Sequence, residues 1–127
     1  MYDDLGDRMK FYEAAEAQRY LMPRLPVIAR IDGKRFSRFT KGLARPFDAR
    51  LSRLMVATTR HLMDESAAIA GYTQSDEISL LLYSQDPQKP IFLNGRTQKL
   101  TSILTSTATA FFNAQLANVL PEKTSEL

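Results

Sequence analysis

The stretch Val27-Ile28-Ala29-Arg30-Ile31-Asp32-Gly33 decides how the chain folds. It reads as a short strand of β-branched and small apolar residues, with Pro26 at its entrance. An acid and a glycine follow at its exit, where a cation can reach the carboxylate and the backbone can turn away sharply. A second acid, Asp76, stands 44 residues after Asp32, and we expect the fold to hold the two acids opposite each other.

The composition is typical of a folded soluble domain. The sequence has 127 residues, 44% of them hydrophobic and 24% charged, which suits a single domain over residues 1–127. It contains no cysteine, which excludes disulfides and thiolate metal sites, and we expect a cytoplasmic protein. The charged N-terminal region and the lack of a long apolar run predict no signal peptide and no membrane partner.

Positive charge is concentrated in one part of the sequence. The net charge is only +3, yet residues 30–50 contain seven basic residues and two acidic ones. A basic segment around a strand-end acid indicates an anionic ligand such as phosphate or nucleic acid. A solvated basic loop is the alternative explanation of the same pattern.

Hydrophobic periodicity and capping residues predict the remaining elements. The predicted helices and strands are a helix to about Tyr20, a helix over 49–65 capped by Asp48, strands over 67–74 and 77–83, and a helix from Asn94 to Pro121. Residues 33–45 read as irregular, with Phe36 and Phe39 spaced for one helical turn or for a loop pinned to the core. The tail from Glu122 to Leu127 is expected to be disordered.

This order of elements lacks one strand of the ferredoxin-like pattern. It predicts an α+β fold, an antiparallel sheet with helices on one face, in which the first strand is central and the strand over 77–83 is interior. Ser75 and Asp76 form the turn between the two later strands, so Asp76 lies at a sheet end. Glu77 is expected to point to the opposite side of its strand.

Two carboxylates beside a backbone carbonyl are the oxygen ligands that magnesium prefers together with substrate phosphates. Paired magnesium ions held in this way are suited to displacement at phosphorus. Positive partners for the phosphates are also required, and the candidates are Lys34, Arg45, Arg96 and Lys99. Arg96 and Lys99 fall in the first turn of the last helix, where free backbone N–H groups favour an anion.

Several motifs in register resemble the histidine-tRNA guanylyltransferase family. They are Leu5–Lys10 with Tyr12-Glu13, Arg30–Phe36, Ala44-Arg45-Pro46 with Asp48, Gln74–Glu77 and Lys99–Ser106. The resemblance implies a catalytic domain like the palm of polymerases and nucleotide cyclases. It also implies reverse-direction addition of nucleotides, in which ATP activates the 5′ end of tRNA and the 3′-hydroxyl of GTP then attacks it.

By position, the resemblance implies that Asp32, Asp76 and the Gly33 carbonyl bind two magnesium ions. It assigns GTP binding to Lys34, Arg35, Phe36 and Ser37 with Ser75, triphosphate contacts to Arg45, Arg96 and Lys99, and a required acid to Glu77. Ser37 replaces a histidine that many relatives carry, and Arg45 replaces a lysine. The family's downstream segments are absent, so the chain resembles the N-terminal half of such an enzyme, with a palm incomplete at its C-terminus and a homo-oligomeric full-length form.

Other functions share parts of this pattern. A nucleotide cyclase or other palm phosphotransferase uses the same pair of acids. A fragment that binds nucleotide without reacting is a further alternative. A four-stranded RNA-binding domain is disfavoured, because the strand from Glu77 to Leu82 has no aromatic residue on which bases stack.

Overall fold

A computed structural model describes residues 3–126 and has an α+β architecture. Its elements are helix α1 (Asp4–Ala17), strand β1 (Val27–Asp32), helix α2 (Phe36–Phe39), helix α3 (Ala49–Ser66), strand β2 (Ala70–Gln74), strand β3 (Glu77–Leu82) and helix α4 (Thr97–Val119). Two 3₁₀ helices, Phe92–Gly95 and Pro121–Glu126, flank α4. In the part of the chain that is described, no helix is both long enough and apolar enough to cross a membrane.

The sheet has three antiparallel strands in the order β1-β3-β2. The prediction that the first strand is central is therefore wrong, whereas the prediction that the strand after the turn is interior is confirmed. One face of β3 is apolar and buried, and β3 pairs with a strand on each edge: Leu81 pairs with Ile28 on one side and with Ala70 on the other. A central strand buries more of its surface than an edge strand, which suits this sequence.

The helices cover one face of the sheet, as predicted. Ile78, Leu80 and Leu82 alternate along β3 and are buried in a core that includes Leu62 of α3 and Leu104 of α4. Burying side chains of this size stabilises the fold by about 1.5–3 kcal/mol each. The other face is open to solvent, since Ile28 is 65% exposed and Tyr72 is 62% exposed.

Helix α3 begins at its predicted cap, where the Asp48 carboxylate accepts a hydrogen bond from the Arg50 amide at 2.9 Å. Leu54, Met55 and Leu62 recur on its buried side. The helix ends at Ser66, and the following residue, Ala67, has a φ of 54°, in the left-handed region. This turn explains why β2 begins at Ala70, three residues later than predicted.

Helix α1 was predicted in part from hydrophobic periodicity, but none of its residues is buried. The Asp3 carboxylate caps it by accepting a hydrogen bond from the Gly6 amide at 3.0 Å, and the helix ends at Ala17 rather than near Tyr20. Leu5 and Tyr12 remain exposed. Capping and local propensity hold this helix, with little contribution from packing within the described residues.

The prediction of a disordered tail is wrong for residues 122–126, and Leu127 lies outside the described residues. The Pro121–Glu126 turn follows Leu120, which is fully buried beside Leu54 and Leu116. Glu122 forms an ion pair of 2.7 Å with Arg50. These long-range contacts order a segment whose own sequence is polar.

Candidate functional site

Strand pairing brings the two predicted acids to the same end of the sheet. In the antiparallel register Asp32 pairs with Glu77, which places the Ser75-Asp76 turn beside Gly33. The Gly33 amide donates a hydrogen bond to the Asp76 carbonyl at 3.0 Å. A Cβ atom on Gly33 would lie 3.1 Å from the Cβ of Asp76, so the glycine permits this close approach.

The turn also determines where Glu77 points. Glu77 lies on the open face next to Asp32, and the Arg30 guanidinium contacts the Glu77 carboxylate and lies 3.5 Å from that of Asp32. Asp76 lines the cavity described below and Glu77 does not, which agrees with the prediction that these two neighbouring acids point to opposite sides of the strand. The Asp32 carboxylate, followed by that of Glu77, raises the pKa of Arg30. Arg30 is 57% exposed, so water screens these pairs.

The donor atoms at this sheet end suit a hard divalent cation. Asp32 and Asp76 offer carboxylates, and Gly33, which directly follows Asp32, offers a backbone carbonyl. Within residues 3–126, no group of three or more His, Cys, Asp or Glu residues converges on one point. Magnesium fits such a sparse oxygen site, because it commonly takes its remaining ligands from water and substrate phosphates.

A cavity of about 1000 Å³ opens beside these acids. Six of the predicted residues line it: Asp32, Gly33, Lys34, Arg35, Phe36 and Asp76. The ring of Phe36 packs 5.3 Å from that of Phe39 and 5.9 Å from that of Phe112, so three aromatic rings form part of its wall. The cavity is at the upper end of the sizes usual for small-molecule sites.

Sequence reasoning missed several polar residues that line the cavity: Arg38, Lys41, Thr58, Thr105, Thr109, Asn113, Lys123 and Ser125. Arg38 and Lys41 belong to the basic segment, which was itself the signal for them. Thr105, Thr109 and Asn113 recur every four residues on α4, and the first two directly follow buried residues, so this spacing was a detectable signal. For Lys123, in a segment without regular pattern, no signal was available.

Six predicted residues do not line the cavity: Ser37, Arg45, Ser75, Glu77, Arg96 and Lys99. Arg96 occupies the N-cap position of α4, and its guanidinium lies 5.9 Å from the ring centroid of Tyr20. The cavity is lined by α4 residues from Thr105 onward, about 13 Å further along the helix at 1.5 Å per residue. Phosphate contacts by Arg96 and Lys99 therefore stay a prediction.

The chain is similar to proteins of one family. The family model described as Thg1: tRNAHis guanylyltransferase matches residues 6–127. Protein R259 of Acanthamoeba polyphaga mimivirus, described as uncharacterized, is 37% identical over 98% of this chain and 47% of its own length. The tRNA(His) guanylyltransferase of Saccharomyces cerevisiae is 31% identical over 85% of this chain and 46% of its own length.

Solved structures show the same fold. A bacterial Thg1-like protein in complex with GTP superposes with a TM-score of 0.84 at 41% identity, over 95% of this chain and 58% of that protein. The Saccharomyces cerevisiae tRNA(His) guanylyltransferase structure gives a TM-score of 0.75 at 29% identity, over 88% of this chain and 49% of that protein. The chain thus spans about half the length of the relatives it matches.

Proposed function

The chain belongs to the Thg1 tRNAHis guanylyltransferase family, and from this premise we propose that it is a magnesium-dependent nucleotidyltransferase. Its reaction is the addition of guanosine from GTP to the 5′ end of tRNA, either histidine tRNA or a 5′-truncated tRNA, after ATP activates that end. The observation that carries the proposal is that Asp32, Gly33 and Asp76, two of them joined by a backbone hydrogen bond, line one nucleotide-sized cavity.

The nucleotide is proposed to occupy this cavity. Lys34 and Arg35 supply positive charge next to the acids, and Phe36 offers an aromatic surface for a base. Ser37, Ser75, Arg45, Arg96 and Lys99 are retained as proposed nucleotide contacts from the family motifs. Structures of a bacterial Thg1-like protein with GTP and with ATP support a nucleotide as the ligand class.

Asp32, Asp76 and the Gly33 carbonyl are proposed to hold two magnesium ions. When bound, the ions would neutralise phosphate charge and lower the barrier to displacement at phosphorus. The chain's own residues position the reactants. Glu77 pairs with Arg30 beside Asp32, and the basic residues orient the triphosphate. Removing either acid would remove a ligand of the ions, so that less cationic charge would be held against the phosphates.

Replacing Asp76 with alanine tests the catalytic proposal. We expect incorporation of labelled GTP into a tRNA lacking its first nucleotide, with ATP and magnesium present, to fall at least about 100-fold, since even supporting residues of metal sites contribute 10–100-fold. Asp86→Asn, an exposed acid in the loop after β3, is the matched control and keeps full activity. Wild-type incorporation by the Asp76→Ala protein would exclude the proposed role.

A second candidate is nucleotide binding without turnover by this chain alone. This candidate is favoured because the chain spans only about half the length of the relatives that it matches. A GTP titration that shows binding while the tRNA assay shows no product supports this candidate. A cyclic product from GTP without RNA instead identifies a cyclase-like phosphotransferase. Homo-oligomeric assembly and a cytoplasmic location stay predictions.

A further inference from the structure

The C-terminal segment, residues 120–125, packs against the loop that forms one wall of the cavity. This cavity loop comprises residues 36–48, of which Phe36, Arg38, Phe39 and Lys41 line the cavity. Leu120 is fully buried and packs with Leu54 and Leu116, so the first residue of the segment is anchored in the core. Lys123 and Ser125 then reach the cavity itself.

Lys123 makes the first connection between the two segments. Its side chain is directed at the loop, with only 6% of the residue exposed. The Nζ atom donates a hydrogen bond to the Lys41 carbonyl at 2.8 Å and lies 5.7 Å from the ring centroid of Phe39. A lysine is rarely buried without such partners, because the ammonium group loses water on burial.

Glu122 makes the second connection, at the other end of the loop. Its carboxylate lies 2.7 Å from the Arg50 guanidinium, which also lies 3.1 Å from the Asp48 carboxylate. Asp48 in turn accepts a hydrogen bond of 3.4 Å from the Ala44 amide. The C-terminal segment therefore contacts the cavity loop directly near residue 41 and indirectly near residue 44.

The effect of these contacts reaches the cavity through aromatic packing. The ring of Phe39 lies 5.3 Å from that of Phe36 and 5.8 Å from that of Phe112. Phe36 in turn lies directly over Gly33, since a Cβ on that glycine would be 2.6 Å from the Phe36 ring. Phe39 therefore contacts, through Phe36, the part of the cavity wall next to the acids.

We propose that Lys123 is a positioning residue that holds the cavity loop in the conformation that binds the nucleotide. The proposal rests on the proposed function for the identity of its ligand, GTP. Lys123 acts through Phe39 and the Lys41 carbonyl. Its ammonium supplies a cation for the ring and a donor for the backbone, and no neutral apolar side chain supplies both.

The test compares Lys123→Met with Lys123→Arg, which keeps the charge and the donor. Calorimetric titration with GTP and magnesium is expected to give about tenfold weaker binding for Lys123→Met, the value of one charge-assisted hydrogen bond. Lys123→Arg restores most of the affinity. Lys89→Met, which removes an exposed lysine from the loop after β3, is the control and binds as the wild type does.

Hydrogen exchange separates positioning from a general loss of stability. The amides of Lys41 and Leu43 are bonded to the carbonyls of Arg38 and Thr40. We expect these amides to exchange faster in Lys123→Met while those of β1 and β3 keep their protection. If Lys123→Met does not fold, Phe39→Leu is the second variant. It removes the ring that Lys123 contacts but keeps the hydrogen bond from Lys123 to the Lys41 carbonyl, and we expect the same faster exchange in the loop.

The outcomes distinguish this proposal from the proposed function. Wild-type GTP affinity and unchanged exchange at Lys41 and Leu43 in Lys123→Met would overturn the positioning role. Equal loss of protection throughout the sheet would also overturn it, because Lys123 would then be a general stabilising residue. If the wild type binds no GTP, the proposed function fails, and the exchange experiment alone decides whether Lys123 holds the loop.

Discussion

At the scale of single residues, Gly33 is the most constrained position of the candidate site. Its amide bonds to the Asp76 carbonyl, and its missing side chain leaves room for Phe36 and Asp76 on either side. The Phe36 ring cannot retreat easily, since it packs on both Phe39 and Phe112. Because Gly33 has a hydrogen atom where alanine has a methyl group, both the Phe36 ring and the Ser75-Asp76 turn can approach it closely.

Gly33→Ala is expected to weaken GTP binding about tenfold or more, because the added carbon would lie 2.6 Å from the Phe36 ring and overpacking of this kind costs about 1–3 kcal/mol. GTP titration measures the effect. Gly71→Ala is the matched control: its added carbon meets the Met63 and Thr59 side chains, neither of which lines the cavity, and we expect it to change stability without changing GTP affinity. Unchanged GTP binding by Gly33→Ala would show that the site tolerates displacement of Phe36.

At the scale of elements, the start of α3 links helix formation to charge. Asp48 is 7% exposed and accepts hydrogen bonds from the Arg50 backbone and side chain. The side-chain bond to Arg50 is the largest cause that lowers the pKa of Asp48 from 3.8 to about 2. The Asp48 carboxylate also accepts a hydrogen bond from the Ala44 amide, so the capping residue also holds the end of the cavity loop.

The lowered pKa gives a signed prediction for stability. Because the folded carboxyl binds its proton less readily than the unfolded one, its contribution is complete above pH 3.8 and is lost as the pH falls towards about 2. Asp48→Asn keeps a capping side chain but cannot ionise. We expect it to be less stable than the wild type near pH 6 and to approach the wild type near pH 2.

Denaturant unfolding between pH 6 and pH 2 measures this difference. Glu122, whose pKa is also lowered, remains in both proteins and contributes to both curves. Parallel pH profiles for the wild type and Asp48→Asn would contradict the assignment of the lowered pKa to this ion pair.

At the scale of the whole molecule, β3 connects the sheet to the helices that cover it. It pairs with both other strands, and one face of it packs on α3 and α4. Its other face stays open beside Asp32 and Glu77. The same strand therefore contributes to the core on one face and, at its N-terminal end, carries Glu77 directly after the turn residue Asp76.

Leu80→Ala tests this central role. Leu80 is fully buried, and we expect its truncation to lower the free energy of unfolding by about 2–5 kcal/mol, since the rigid layers around it cannot close the cavity. Urea unfolding gives the value. Leu81→Ala on the open face of the same strand is the matched control and costs less. A loss for Leu80→Ala no larger than that for Leu81→Ala would contradict the two-sided role of β3.

The sequence by itself determined the local features: strand β1, the Asp48 cap of α3, the two-residue turn, the α+β class and the family motifs. These follow from short-range periodicity and capping, which neighbouring residues encode. Only the tertiary structure decided that β3 is central, that Glu77 lies beside Asp32, and that the C-terminal segment packs on the cavity loop. Strand order, register and the burial of Lys123 depend on contacts between distant residues, and local patterns do not specify such contacts.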